Sequence, residues 1–172
     1  MPLVKNAQVI SDDFVHVSDD VVAPDANVLV LAERFLAEAE ALLARGGKTG
    51  VIWPNNRDLD DLVPYLDRIA VVGLVFPTFR DGRAYSQARL LRERFAFRGE
   101  LRATGNILRD QFVFMLRAGF DAFDVKKTAD AAAFATTAHH YTVFYQPTGD
   151  GRITALHQRM QARHRTETTS NH

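Results

Sequence analysis

Cysteine is absent from all 172 residues, which removes disulfides, thiolate metal sites, cysteine-held iron–sulfur clusters and dithiol redox chemistry from this chain. Long apolar runs are missing too. None approaches the ~18 residues that a membrane span requires, and the opening MPLVKNAQVI lacks a signal-peptide core, so a cytoplasmic protein with no membrane partner is expected. There is no net charge, because 21 Lys and Arg balance 21 Asp and Glu. That balance argues against non-specific nucleic-acid binding, which needs a strongly basic surface. Neither a GxGxxG fingerprint nor a Walker lysine pattern occurs, and the histidines, including the pair His139 and His140, show no metal-ligand spacing. No metal and no cofactor is therefore evident from the residues.

What is present is a globular composition, 47% apolar with twelve Phe, ample for one core without staples. The charge is unevenly placed. Residues 1–76 hold 6 Lys/Arg against 12 Asp/Glu, a balance of −6, whereas residues 77–118 hold 9 Arg against 4 acids, a balance of +5. The remainder, 119–172, stands at +1 with 6 Lys/Arg and 5 acids. An arginine excess of that size in a neutral chain points to an anionic ligand or an acidic partner surface.

Strand and helix signals alternate along the chain. Residues 1–22 read as a hairpin or edge strand. LAERFLAEAEALLAR (31–45) reads as a helix stopped by Gly46 and Gly47. GVIW (50–53) is a strand, DLDDLVPYL (58–66) a short helix broken or kinked at Pro64, and IAVVGLVF (69–76) the strongest strand, apolar on both faces. A helix over 82–96 follows, with Ala84, Ala88, Leu91 and Phe95 on one stripe. Then come the strand GELRATG (99–105), a helix capped by Asn106, the strand DAFDV (121–125), a helix capped by Thr128 and a last strand at 141–145. One α/β domain over 1–162 with a disordered tail at 163–172 accommodates all of this.

Such alternation predicts repeated βα units in a parallel sheet. In GELRATG, Leu101 and Ala103 point one way and Glu100, Arg102 and Thr104 the other. In DAFDVK, Phe123 and Val125 oppose Asp124 and Lys126. One apolar and one polar face suits helices on a single side, as in an incomplete (β/α) barrel, rather than the alternative of an open, flavodoxin-like doubly wound sheet. An incomplete barrel leaves an open edge, so a homodimer is expected.

Ligands of parallel α/β folds sit beyond the carboxyl ends of the strands. PTFRDGR occupies that position after Phe76. Arg80 and Arg83 flank the turn at Gly82, Tyr85, Arg89 and Arg92 share one flank of the helix, and Arg83, Gln87 and Arg94 share the opposite one. Arginine's planar fork suits oxyanions. The expected anion-binding set is Arg80, Arg83, Tyr85, Ser86, Gln87, Arg89, Arg92, Arg102 and Thr104. For acid–base chemistry the candidates are Asp124, Glu100 and Asp110, with Lys126 as an electrostatic helper.

The stretch FRDGRAYSQARLLRERFAFRGELRATGNILRDQFVFMLRAGFDAF (79–123), with DDFVHV near the start and FYQPTGDG near the end, closely resembles a bacterial family known as domain of unknown function 934. Its members are often labelled probable oxidoreductases of sulfite reduction and are typically encoded beside sulfite reductase and adenylylsulfate-reducing enzymes. The matching motif residues here are Arg80, Asp81, Gly82, Arg83, Tyr85, Ser86, Gln87, Arg89, Arg92, Glu100, Arg102, Gly105, Asp110 and Gln111. Many members carry cysteine before the GFDAF glycine where this chain has Ala118, which argues against a thiol mechanism there. Redox work would need a bound flavin or a partner's centres. The resemblance therefore implies an accessory protein of assimilatory sulfate or sulfite reduction. It would bind a reductase, another enzyme of that route, or a sulfur oxyanion or sulfonucleotide through the arginine stretch. The alternative is a barrel-type enzyme acting on a phosphorylated or carboxylated small molecule.

Overall fold

The VVGLVF run forms the strand at the middle of a sheet, because its side chains are apolar on both faces and both faces are covered. The computed structural model describes residues 2–125 apart from Ala7 and Asp20. The expected elements at 128 onward, the domain limit at 162, the tail and Lys126 lie outside the described residues. The eight strands are β1 (Leu3–Lys5), β2 (Gln8–Ile10), β3 (Val15–His16), β4 (Val28–Leu31), β5 (Thr49–Trp53), β6 (Val71–Phe76), β7 (Glu100–Gly105) and β8 (Ala122–Asp124). They form one curled sheet, a half-barrel, in the order β2-β1-β8-β7-β6-β5-β4-β3.

Neighbouring strands from β3 to β8 pair in parallel. β1 runs antiparallel to β8, and β2 hairpins back on β1. The order runs from β3 to β8 without the reversal that gives a doubly wound sheet its switch point. The connections carry α1 (Ala32–Leu43) after β4, α2 (Arg83–Arg89) after β6 and α3 (Phe112–Ala118) before β8.

Register sorts the side chains into two faces. Leu101 and Ala103 of β7 align with Val72 and Leu74 of β6, and Ala103 aligns with Phe123. This face joins Phe35 and Leu42 of α1, Ala84 and Ala88 of α2 and Met115 of α3 in one buried core. Burying each large apolar side chain there contributes about 1.5–3 kcal/mol. The opposite, inner face carries Glu100, Arg102 and Thr104 beside Val71, Gly73 and Val75, with Asp124 next along. Gly50 belongs to this face, where a Cβ would stand 2.7 Å from Leu29 Cδ1 and 2.9 Å from the Cβ of Val71. Glycine there lets the neighbouring strands' side chains close over the strand.

Several elements differ from expectation. VLVL (28–31) is a strand, so the helix starts at Ala32 rather than 31, and it bends at Glu38. Residues 58–66 form turns with a single 3₁₀ turn at Val63–Tyr65, because Pro64 has no N–H and the buried Leu59, Leu62 and Leu66 pin the segment irregularly. The helix expected over 82–96 is α-helical only to Arg89, and Leu90–Arg94 widens to a π turn in which Phe95 N–H donates to Leu90 O at 3.0 Å. Asn106 caps no helix. Its Nδ2 donates to Pro77 O, and the following segment is a 3₁₀ turn at Arg109–Gln111 leading into α3.

Candidate functional site

Arg102 is the largest polar side chain on the inner face and is only 1% exposed. A buried guanidinium persists only when its donors are matched. Nη1 donates to Asp12 Oδ2 at 2.5 Å and Nη2 to Asp12 Oδ1 at 3.1 Å, while Nε and Nη2 reach Glu100 Oε1 at 3.0 and 2.9 Å. Lys5 Nζ completes Glu100 at 2.7 Å. The Phe14 ring lies over the guanidinium, 5.8 Å from its centre. Burial alone would lower the Arg102 pKa, but Asp12 and Glu100 outweigh it and hold the group charged. Burial would likewise raise Asp12. The Arg102 hydrogen bond, the Phe14 N–H and the charges of Arg102 and His16 keep it below the ordinary carboxylate value.

Asp124 behaves in the opposite sense. It is 3% exposed, and burial pushes its carboxyl up, with only partial relief from Arg102, His16 and a hydrogen bond with Thr104. Its Oδ2 has no hydrogen-bond partner among the described residues. Two cavities adjoin this cluster. One of about 290 Å³ is lined by Lys5, Asp12, Phe14, Glu100 and Arg102, among others. The second, of about 270 Å³, is lined by Asp12, Phe14, His16 and Asp124. The DDFVHV segment thus walls both. Among the described residues no group of three or more His, Asp or Glu is placed to hold a metal ion.

Four residues expected at a site therefore share this inner face: Glu100, Arg102, Thr104 and Asp124. Asp110 lies apart, exposed in the 3₁₀ turn before α3. Sequence reasoning missed Lys5, Asp12, Phe14 and His16. The signal available was the alternation in DDFVHV, which sets Asp12, Phe14 and His16 on one side of an extended segment. Nothing local shows that the segment folds over Arg102, 90 residues away.

The arginines after β6 do not gather around one point. Arg83 forks onto Asp81, with Nη2 to Oδ2 at 2.6 Å and Nε to Oδ1 at 3.0 Å, both groups on an exposed turn. The pairing holds Asp81 well below the usual carboxylate range and raises Arg83. Arg80 is exposed, 5.4 Å from the centre of the Phe79 ring. Tyr85 turns inward against Phe76 and Phe120, and burial, then the charge of Asp110, push its phenol up to about 12. Gln87 is buried and donates to the Pro54 and Arg57 carbonyls. Arg92 serves the far, amino-terminal end of the strands, where it donates to Phe97 O, Gly99 O, Gly119 O and Asp121 Oδ2. Ser86 and Arg89 instead face outward, with Leu90, Glu93 and Arg94, along an open groove of about 450 Å³.

Residues 50–156 match the family model described as bacterial protein of unknown function (DUF934). The chain belongs to this family, as the arginine-rich motif predicts. No curated protein and no solved structure matches the chain. Among the described residues no helix is long and apolar enough to cross a membrane.

Proposed function

We propose that this protein is an accessory factor of assimilatory sulfite reduction that docks an acidic surface of a reductase through the outward face of α2 and the π turn after it. The observation that carries the reading is the groove between Ser86, Arg89, Leu90, Glu93 and Arg94. It combines guanidinium groups with an exposed leucine, 42% accessible, and arginine beside apolar surface is the composition of protein interfaces. Arg80 and Phe79 extend the exposed surface on the loop before α2. The link to sulfite reductase comes from the family resemblance. Docking is favoured over an oxyanion clamp because Arg83, Arg92 and Arg102 already have their donors engaged within the protein.

In the same reading the half-barrel is an incomplete (β/α) barrel of repeated βα units in a cytoplasmic homodimer, its open sheet edges supporting self-association. No electron carrier is assigned to this chain, and redox centres would belong to the partner. The test is calorimetry of the full chain with purified sulfite reductase, and separately with sulfate, sulfite and adenylyl sulfate. Micromolar or tighter binding to the reductase alone is expected. Binding to none of them at micromolar concentrations would overturn the reading.

A further inference from the structure

The inner face holds chemistry that docking leaves unused. Three carboxylates, Asp12, Glu100 and Asp124, converge around Arg102. Among the described residues two permanent cations answer them. All three nitrogens of Arg102 donate to Asp12 or Glu100, and Lys5 turns to Glu100. Among the described residues Asp124, 3% exposed, is left with an unpartnered oxygen beside the cavity of about 270 Å³. A buried acceptor of this kind is costly unless something donates to it.

We propose that this cavity binds a small monocationic amine or amidine, whose N–H groups donate to Asp124 Oδ2 and whose charge balances the third carboxylate. Asp12 and Phe14 line the same cavity. The Asp12 carboxylate adds negative potential, and the Phe14 ring, already near one guanidinium, offers a face that cations favour. A primary ammonium or a planar amidinium matches a carboxylate in a short charge-assisted contact. An oxyanion is the wrong partner. The arginine donors are engaged, and both carboxylates that line the cavity would repel it. Among the described residues a divalent ion finds no ligand set, because His16, Asp12 and Asp124 are not gathered as one. Burial pushes the Asp124 carboxyl up, and a cation bound beside it would bring it back down.

The experiment uses the full chain. Ethylammonium, guanidinium and acetamidinium chlorides are titrated at millimolar concentration and followed by amide NMR, with acetate, sulfite and ethanol run in parallel. At least one of the three cations is expected to bind with a dissociation constant of about 1 mM or below, shifting the Phe14, His16 and Thr104 amides. Asp124→Asn is expected to weaken that binding about tenfold or more. Phe14→Leu, which leaves the Arg102 ion pairs in place, should weaken it several-fold and keeps the test decisive if Asp124→Asn does not fold. The proposal is overturned if no cation binds below about 10 mM, if acetate or sulfite binds as tightly as the cations, or if either folded variant binds like the wild type.

Discussion

Arg102 Nη1 and Asp12 Oδ2 meet at 2.5 Å, joining the third residue of β7 to a segment 90 residues earlier in the chain. This contact fixes the DDFVHV segment over the inner face and thereby shapes both inner cavities. Arg102 is buried and Asp12 partly so; such a pair is worth little over an apolar substitute, yet removing one partner strands the other.

Asp12→Ala should therefore destabilise the fold by about 3 kcal/mol, at the lower end of the range for a broken buried pair because Glu100 still holds the guanidinium. Urea denaturation of the full chain measures it. A loss under about 1 kcal/mol would mean that the pair is hydrated rather than buried.

The two aspartates give stability opposite dependences on pH. Asp124 is raised by burial, so between the ordinary value of 3.8 and its folded value the native state keeps a proton that the unfolded state has released. Stability falls as pH rises through that window and stays reduced above it. Asp12 is lowered, so its contribution is present above 3.8 and is lost as pH falls toward its folded value. Asp124→Asn should thus stabilise the protein at pH 7 and have little effect at pH 3, as read from denaturation midpoints across pH. A variant less stable than wild type at pH 7 would contradict the assignment.

Arg92 staples three parts of the fold together. It joins the π turn to the start of β7 and to the end of α3, and its Cγ would lie 2.6 Å from a Cβ placed on Gly119, whose φ is +103°. Lysine cannot reproduce the fork, so Arg92→Lys should cost about 2–4 kcal/mol. Gly119→Ala should cost more than about 1 kcal/mol through strain and that clash. Thermal denaturation checks both, and unchanged melting temperatures would refute the role.

The Arg83–Asp81 pair, in contrast, sits on the surface. Asp81→Asn should leave stability almost unchanged despite its short contacts, because an exposed pair is screened by water. A larger loss in urea denaturation would show that the turn anchors more than itself.

Much of the architecture was legible in the chain. The alternation Leu101–Ala103 against Glu100–Arg102–Thr104 gave the helix-packed and polar faces correctly, because side-chain direction in a strand has period two. The stripe Ala84–Ala88–Leu91 is buried as its spacing implies. VLVL escaped because it runs straight into a helix former-rich segment, and the π turn because i+5 bonding has no compositional mark. Half of the inner polar cluster was legible from β7 and β8. The rest was not, since the reach of Arg102 to Asp12 is a tertiary event. Sequence charge alone also could not show that Arg83 and Arg92 spend their donors on neighbours within the fold.

The most direct measurement is a titration of purified sulfite reductase with the wild-type chain and with an R89E/R94E variant, at two salt concentrations. The outward face of α2 predicts binding at micromolar or better for the wild type, weakening with salt, and at least a tenfold loss for the variant with its melting temperature preserved. Equal binding by the two proteins, or none by either, would contradict docking through that face.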